Sequence, residues 1–170
     1  YPNYFRIIDN AIADVNSSGI INRLVIAIDS GEMAYDEKYE EISRYLAKSM
    51  CCAEIRIVIQ YFCVETWALG NKVAVSPNPR NPKLREYLRL FNVRENDPEV
   101  LPANEKEELN REQFAERYLK LAMNEKYGNL SYSKSNPRAL LHPKYFNHVK
   151  RRFETTCHIQ SFRNFLDAFL

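Results

Sequence analysis

The apolar residues in the first third of the chain change from helical spacing to a continuous run and back again. Over residues 4–15 they recur every three or four positions, which predicts an amphipathic helix that Gly19 and its polar neighbours end. The apolar run over residues 24–28 is uninterrupted and predicts a strand that is buried on both faces. Helical spacing returns over residues 35–50 and predicts a second helix packed on a sheet.

A second apolar run, rich in β-branched and aromatic residues, occupies residues 55–64 and ends at Glu65. This composition predicts another strand. A strand, a helix and a strand with short connections form a βαβ unit, in which the two strands lie parallel. Asp29 follows the first run directly. We therefore expect Asp29 and Glu65 at the same carboxyl edge of the sheet, where open α/β sheets bind their ligands.

From residue 76 onward the pattern is that of helices separated by loops that contain proline. Apolar spacing predicts these helices over about residues 84–91, 110–127, 143–154 and 160–170. The fold class indicated is α/β. It consists of a parallel sheet flanked by helices over residues 1–75, followed by a mainly helical extension over residues 76–170 whose C-terminal part is basic.

Composition limits the kind of protein further. A chain of 170 residues with 45% hydrophobic content can form one ordinary globular domain, and its net charge of +2 implies no partner by itself. The charge is uneven, since residues 95–125 are acidic on balance and residues 126–170 are basic. No apolar run approaches the roughly 20 residues of a membrane span and no leader sequence begins the chain, so we expect a cytoplasmic protein without membrane contact.

Neighbouring carboxylates are the first candidate for chemistry. Asp29 and Glu65 would repel each other and lose solvation at a shared sheet edge, so their pairing indicates a cation between them. Mg²⁺, or Mn²⁺ in its place, prefers oxygen ligands and can activate water against a phosphodiester. Glu32, in the turn after Gly31, is the third candidate for both the metal and the catalytic roles. Alternatively, a charge after a strand only marks where the chain turns back into solvent.

Basic residues near the C-terminus are the candidates for binding nucleic acid. Contacts from such groups to backbone phosphates give affinity without reading the base sequence. The alternative is that they form the solvated face of a helix. The candidates are Lys134, Arg138, Lys144, Lys150, Arg151 and Arg152.

Three segments together resemble the Toprim-like domains of the RloB type, which occur in bacterial anti-phage defence proteins. The segments are YPNYF at residues 1–5, RLVIAIDSGE at residues 23–32 and QYFCVETWALGNK at residues 60–72. That family has a first strand ending in a motif resembling EGxxTExxYF, a later strand ending in an aspartate motif, and a phrase of the form F-E-x-W. Here Tyr4 and Phe5 match the end of the first motif, Asp29 the second, and Glu65 with Trp67 the third.

The resemblance departs from the family pattern in two places. The first family glutamate would lie before Tyr1, so the first strand is expected upstream of this chain. The second aspartate of the usual Asp-x-Asp is replaced by Gly31, which leaves Glu32 as its substitute. Toprim-like domains also occur fused to retron reverse transcriptases and to ATPases of the OLD family. The resemblance therefore implies a part of a larger defence protein, either fused or bound to another protein and compatible with an oligomer.

The function that the resemblance implies is a Toprim-like, metal-dependent nuclease. It would cleave DNA or RNA phosphodiesters as the effector of a bacterial antiviral system. The alternative is a catalytically inactive Toprim-like module that binds nucleic acid or a partner protein.

Overall fold

The protein is a mixed α/β structure with a two-stranded parallel sheet and flanking helices, as the α/β prediction expected. The computed structural model describes residues 4–128 and 132–170. Short 3₁₀ turns cover Pro98–Val100, Glu105–Glu107 and Arg138–Leu141. The helices and strands, in chain order, are α1 (Tyr4–Ser18), β1 (Arg23–Asp29), α2 (Tyr35–Leu46), β2 (Glu54–Gln60), α3 (Val64–Leu69), α4 (Pro82–Leu90), α5 (Arg111–Tyr127), α6 (Pro143–Thr156) and α7 (Phe162–Asp167).

The two strands pair in parallel along their whole length, as the βαβ pattern predicts. The register runs from Arg23 opposite Glu54 to Asp29 opposite Gln60. The prediction that β1 is buried on both faces is wrong, because Ile26 is the one buried residue in it and Ala27 is exposed. Among the described residues the sheet has two strands, so both are edge strands. An apolar run of this kind is typical of a central strand.

The second strand ends four residues earlier than its composition predicts. After Gln60 the chain turns at Phe62, whose φ of 61° lies in the left-handed region, and α3 then begins at Val64. The Phe62 N–H donates to the hydroxyl of Ser30 at 2.9 Å, and its carbonyl accepts from the N–H of Gly31 at 3.0 Å. Glu65 therefore lies in the first turn of a helix and not at a strand end.

One large hydrophobic core joins the two parts of the chain predicted from the sequence. It combines Phe62 and Trp67 from the first part with Phe114, Tyr145 and Phe162 from the second. The boundary near residue 75 thus marks a change of secondary structure within a continuous core. A smaller cluster forms where α1 packs on the sheet.

The helix ends follow local sequence signals. Helix α5 begins with a capping box between Asn110 and Gln113 and ends at Gly128, whose φ is +57°. Helix α6 begins at Pro143, and the Nδ1 atom of the preceding residue, His142, accepts from the N–H of Lys144 at 3.2 Å. Within residues 4–128 and 132–170, none of the helices has the length and apolar character needed to cross a membrane.

Candidate active site

Asp29 lies at the point where β1 meets the start of α3. Its Oδ1 atom accepts a hydrogen bond from the backbone N–H of Val64 at 3.1 Å. This bond brings the carboxylate next to Glu65, the following residue. Burial and the negative charge of Glu65 raise the pKa of Asp29 to about 6. Asp29 and Glu65 are thus brought together, as the parallel-strand argument expected, although Glu65 arrives there on a helix.

Glu65 is fully buried, and only one of its carboxylate oxygens is satisfied. Oε1 accepts from the hydroxyl of Tyr132 at 2.6 Å, whereas Oε2 has no hydrogen-bond partner among the described residues. Burial raises the pKa of Tyr132 above its ordinary range, and the hydrogen bond to Glu65 adds to this rise. Burial and the charge of Glu65 also raise the pKa of Cys63. A buried carboxylate oxygen without a partner is costly, so this position favours a proton or a cation.

Lys134 and Glu112 are two further charged residues near Asp29 and Glu65. Burial by itself would lower the pKa of Lys134, but the charges of Glu65 and Asp29 raise it above its ordinary value. Burial raises the pKa of Glu112, and the charges of Glu32 and Glu65 add to this rise while Lys134 opposes it. Glu112 lies against Gly31, where a Cβ atom would be 3.4 Å from its Oε1. We call Asp29, Glu65, Glu112 and Lys134 the carboxylate cluster.

Glu32, the expected third ligand, makes a different contact. Its Oε1 atom accepts from the backbone N–H of Arg111, the first residue of α5, at 3.1 Å. A carboxylate at a helix N-terminus is favoured by the exposed N–H groups there. Glu112, which the sequence reasoning missed, lies close enough to Asp29 and Glu65 for their negative charges to interact. Its only signal in the sequence is an acidic residue in the first turn of α5.

The cluster can be compared with what a divalent cation needs. Within the described parts of the chain, no group of three or more His, Cys, Asp or Glu side chains is arranged to hold a metal ion. Two carboxylates are available from Asp29 and Glu65, and Mg²⁺ commonly takes one or two from a protein together with substrate phosphates. The free Oε2 of Glu65 is a hard oxygen donor. The donor set therefore fits Mg²⁺ in chemistry.

Five of the six basic candidates have exposed or half-exposed side chains, and they differ in what they contact. Lys134 belongs to the carboxylate cluster, while Arg138 and Lys144 line a cavity between α5 and α6. Lys150 forms an ion pair with Glu154 at 3.3 Å. Arg151 is exposed on α6.

Arg152 is the exception, and its placement corrects the prediction that it contacts nucleic acid. The residue is 3% exposed, and its guanidinium donates to the carbonyls of Val93 and Asn96 at 2.6 Å each. It also bonds to Nδ1 of His158 at 2.9 Å. Burial lowers the pKa of Arg152 to about 10. Its hydrogen-bonding groups are thus used by backbone carbonyls inside the protein.

Comparison with known proteins gives no relative for this chain. No family model matches it, and neither the curated proteins nor the solved structures give a significant match. Residues 1–3 of the YPNYF segment lie outside the described residues. Tyr4 donates its hydroxyl hydrogen to Glu41 on α2 at 2.6 Å, away from the carboxylate cluster. The resemblance to Toprim-like domains of the RloB type stays a prediction from the sequence.

Proposed function

We propose that the chain is a Toprim-like, metal-dependent nuclease domain that cleaves DNA or RNA phosphodiesters. We propose further that it acts in the cytoplasm as the effector of a bacterial antiviral system, within a larger protein such as a retron reverse transcriptase fusion. The observation that supports the chemistry is the pairing of Asp29 with Glu65. The Asp29 carboxyl has a pKa of about 6, and the Glu65 carboxyl keeps one oxygen without a partner within residues 4–128 and 132–170.

The roles of the residues follow from their contacts. Asp29 and Glu65 would hold Mg²⁺ or Mn²⁺, which when bound polarises a phosphoryl oxygen and lowers the pKa of water. Tyr132 fixes the Glu65 carboxylate through Oε1, and Oε2 keeps no hydrogen-bond partner among the described residues. Lys134 would attract the phosphate of the substrate. Glu112 has a raised pKa and would accept a proton from the attacking water.

Glu32 would act by positioning. Its bond to the N–H of Arg111 ties the turn after β1 to the start of α5. Glu112 is the next residue of α5, so this contact fixes its backbone beside the cluster. We therefore assign Glu32 a supporting role in place of the ligand role expected from the sequence.

A second candidate function is a catalytically inactive Toprim-like module that binds nucleic acid or a partner protein. It is favoured by the bond of Glu32 to the N–H of Arg111, because, of the three carboxylates expected from the sequence, only Asp29 and Glu65 then remain as metal ligands. Lys134 could then balance the charge of these carboxylates without any metal ion.

Cleavage assays with conservative variants separate the two candidates. Labelled single-stranded DNA, duplex DNA, messenger-like RNA and transfer RNA are incubated with the protein in Mg²⁺, in Mn²⁺ and in chelator. Asp29→Asn and Glu65→Gln each preserve the shape of the side chain, and Glu154→Gln is the control at an exposed ion pair. The nuclease proposal expects metal-dependent cleavage that both cluster variants lose and the control retains. Cleavage absent on all substrates, or unchanged in both cluster variants, refutes it.

A further inference from the structure

A cavity separate from the carboxylate cluster lies between α5, α6 and the segment that follows α3. Its volume is about 450 Å³, within the usual range for small-molecule sites. It shares no lining residue with the carboxylate cluster. The residues that carry the argument are Asn71, Met123, Tyr127, Arg138, Lys144 and Tyr145.

Asn71 supplies a buried hydrogen-bond donor at this cavity. The residue is 1% exposed, and its Oδ1 accepts from the backbone N–H groups of Val73 at 3.0 Å and Ala74 at 3.3 Å. These two donors fix the orientation of the amide, because a flipped amide would set NH₂ against N–H. The Nδ2 atom then has no acceptor among the described residues. An acceptor on a ligand would satisfy it.

The walls of the cavity offer flat and apolar surface. Met123 is fully buried, and the hydroxyl of Tyr145 is already bonded to the carbonyl of Ala68 at 2.9 Å. Tyr145 therefore presents only its ring. Tyr127 is 38% exposed, which leaves its ring accessible for stacking.

Positive charge surrounds the same cavity. Arg138 and Lys144 are exposed and form no ion pair within the described parts of the chain. His142 also lines the cavity, and because its Nδ1 accepts from the N–H of Lys144, its neutral ring carries the proton on Nε2. The N-terminus of the 14-residue helix α6 adds to the positive potential. This arrangement suits a phosphate.

We propose that this cavity binds one nucleotide. The base stacks on Tyr127 over the apolar wall and accepts a hydrogen bond from Asn71. The phosphate is held by Arg138, Lys144 and the Nε2–H of His142. A smaller cavity of about 240 Å³ shares His148 with this one and is lined by Lys72 and Arg151, so basic residues continue beyond the nucleotide.

The nucleotide has two possible sources, which a binding assay separates. Calorimetry is carried out in chelator, so that no metal-dependent cleavage occurs, with the four ribonucleoside monophosphates, with pentanucleotides of RNA and DNA, and with inorganic phosphate. Binding of monophosphates identifies a free nucleotide as the ligand. Binding confined to pentanucleotides identifies a residue of a strand. Either result supports the cavity as a nucleotide site, provided that Arg138→Ala and Lys144→Ala bind more weakly than the unmodified protein.

The variants are chosen at exposed positions so that folding is preserved. Arg138→Ala and Lys144→Ala should each weaken binding about tenfold, the size expected for losing one charge-assisted hydrogen bond. Arg89→Ala on α4 and Lys120→Ala on α5 are the matched controls, because both residues are exposed and line none of the cavities described above. These two should bind like the unmodified protein.

Asn71→Asp tests the base contact. It keeps the oxygen that accepts from Val73 and Ala74, and it replaces the free donor by an acceptor. We expect weaker nucleotide binding with unchanged binding of inorganic phosphate, in a variant whose thermal melt is checked first. The proposal is refuted if no nucleotide or pentanucleotide binds, or if Arg138→Ala and Lys144→Ala bind no more weakly than the controls. Asp29→Asn and Glu65→Gln should retain this binding, so the cavity and the nuclease proposal can fail separately.

Discussion

Replacing Arg152 should destabilise the protein strongly, although a neighbouring arginine on the same helix can be removed with little effect. The guanidinium of Arg152 donates to the carbonyls of Val93 and Asn96 at 2.6 Å each. Arg152→Ala removes two short bonds from a charged donor, each worth at least about 1.5 kcal/mol. It also leaves these carbonyls without that donor and removes a packed side chain. We expect a loss of about 3 to 5 kcal/mol in the free energy of unfolding.

Urea unfolding followed by circular dichroism measures this loss. In a thermal melt of a chain of this size, a loss of 3 kcal/mol in the free energy of unfolding corresponds to a fall in Tm of roughly 6 to 12 °C. Arg151→Ala is the matched control, because it removes the same charge from the adjacent, exposed position on α6. The control should change the free energy of unfolding by no more than about 0.5 kcal/mol. Equal urea midpoints for the two variants would refute the structural role assigned to Arg152.

Three further perturbations test the packing and the charges of the candidate site. Gly70→Ala should cost about 1 to 3 kcal/mol in urea unfolding, because its Cβ would lie 2.7 Å from the carbonyl oxygen of Trp67. Tyr132→Phe should cost a similar amount at neutral pH, since it leaves both oxygens of Glu65 without a donor among the described residues. Asp29 titrates near pH 6 in the folded protein and near 3.8 when unfolded, so its ionisation disfavours the folded state above about pH 4. The stability of the unmodified protein relative to Asp29→Asn should therefore fall between pH 4 and pH 6, by at most about 3 kcal/mol.

Each of these three predictions has a control variant or a result that would contradict it. Gly70 has the right-handed helical backbone that alanine adopts without strain, so an unchanged or raised urea midpoint in Gly70→Ala would contradict the predicted clash. Tyr39→Phe serves for Tyr132→Phe, since Tyr39 is exposed. Stability curves of the unmodified protein and Asp29→Asn that run parallel from pH 4 to pH 7 would contradict the raised pKa.

Local periodicity was sufficient to predict most of the secondary structure. The helical spacing before Gly19, the continuous run ending at Ile28 and the capping residue Asn110 each act within a few positions along the chain. The parallel pairing of β1 and β2 followed from the short connections of the βαβ unit. These features depend on neighbours in sequence, which is why the sequence contains them.

The features that the sequence did not reveal depend on distant contacts. The β-branched composition of residues 55–64 continues past Gln60, but Ser30 and Gly31 bond to Phe62 and turn the chain into α3. Arg152 follows Val149 by three positions, and this helical spacing indicates the inward face of α6. Its carbonyl acceptors, however, come from a loop 56 to 59 residues away. No sequence pattern near Arg152 indicates these acceptors.

Helix α3 connects the two proposed sites, since Glu65 lies in its first turn and Asn71 lies two residues beyond its last residue. Each of these residues has a buried polar atom without a partner among the described residues. The helix is six residues long, so its ends are about 9 Å apart, and it packs against both α5 and α6. A nucleic-acid strand with one base bound at Asn71 would therefore lie close to the carboxylates of Asp29 and Glu65. Nucleotide binding without cleavage would favour the inactive binding module. If the protein shows both nucleotide binding and cleavage, α3 carries residues of both the nuclease site and the site that binds its substrate.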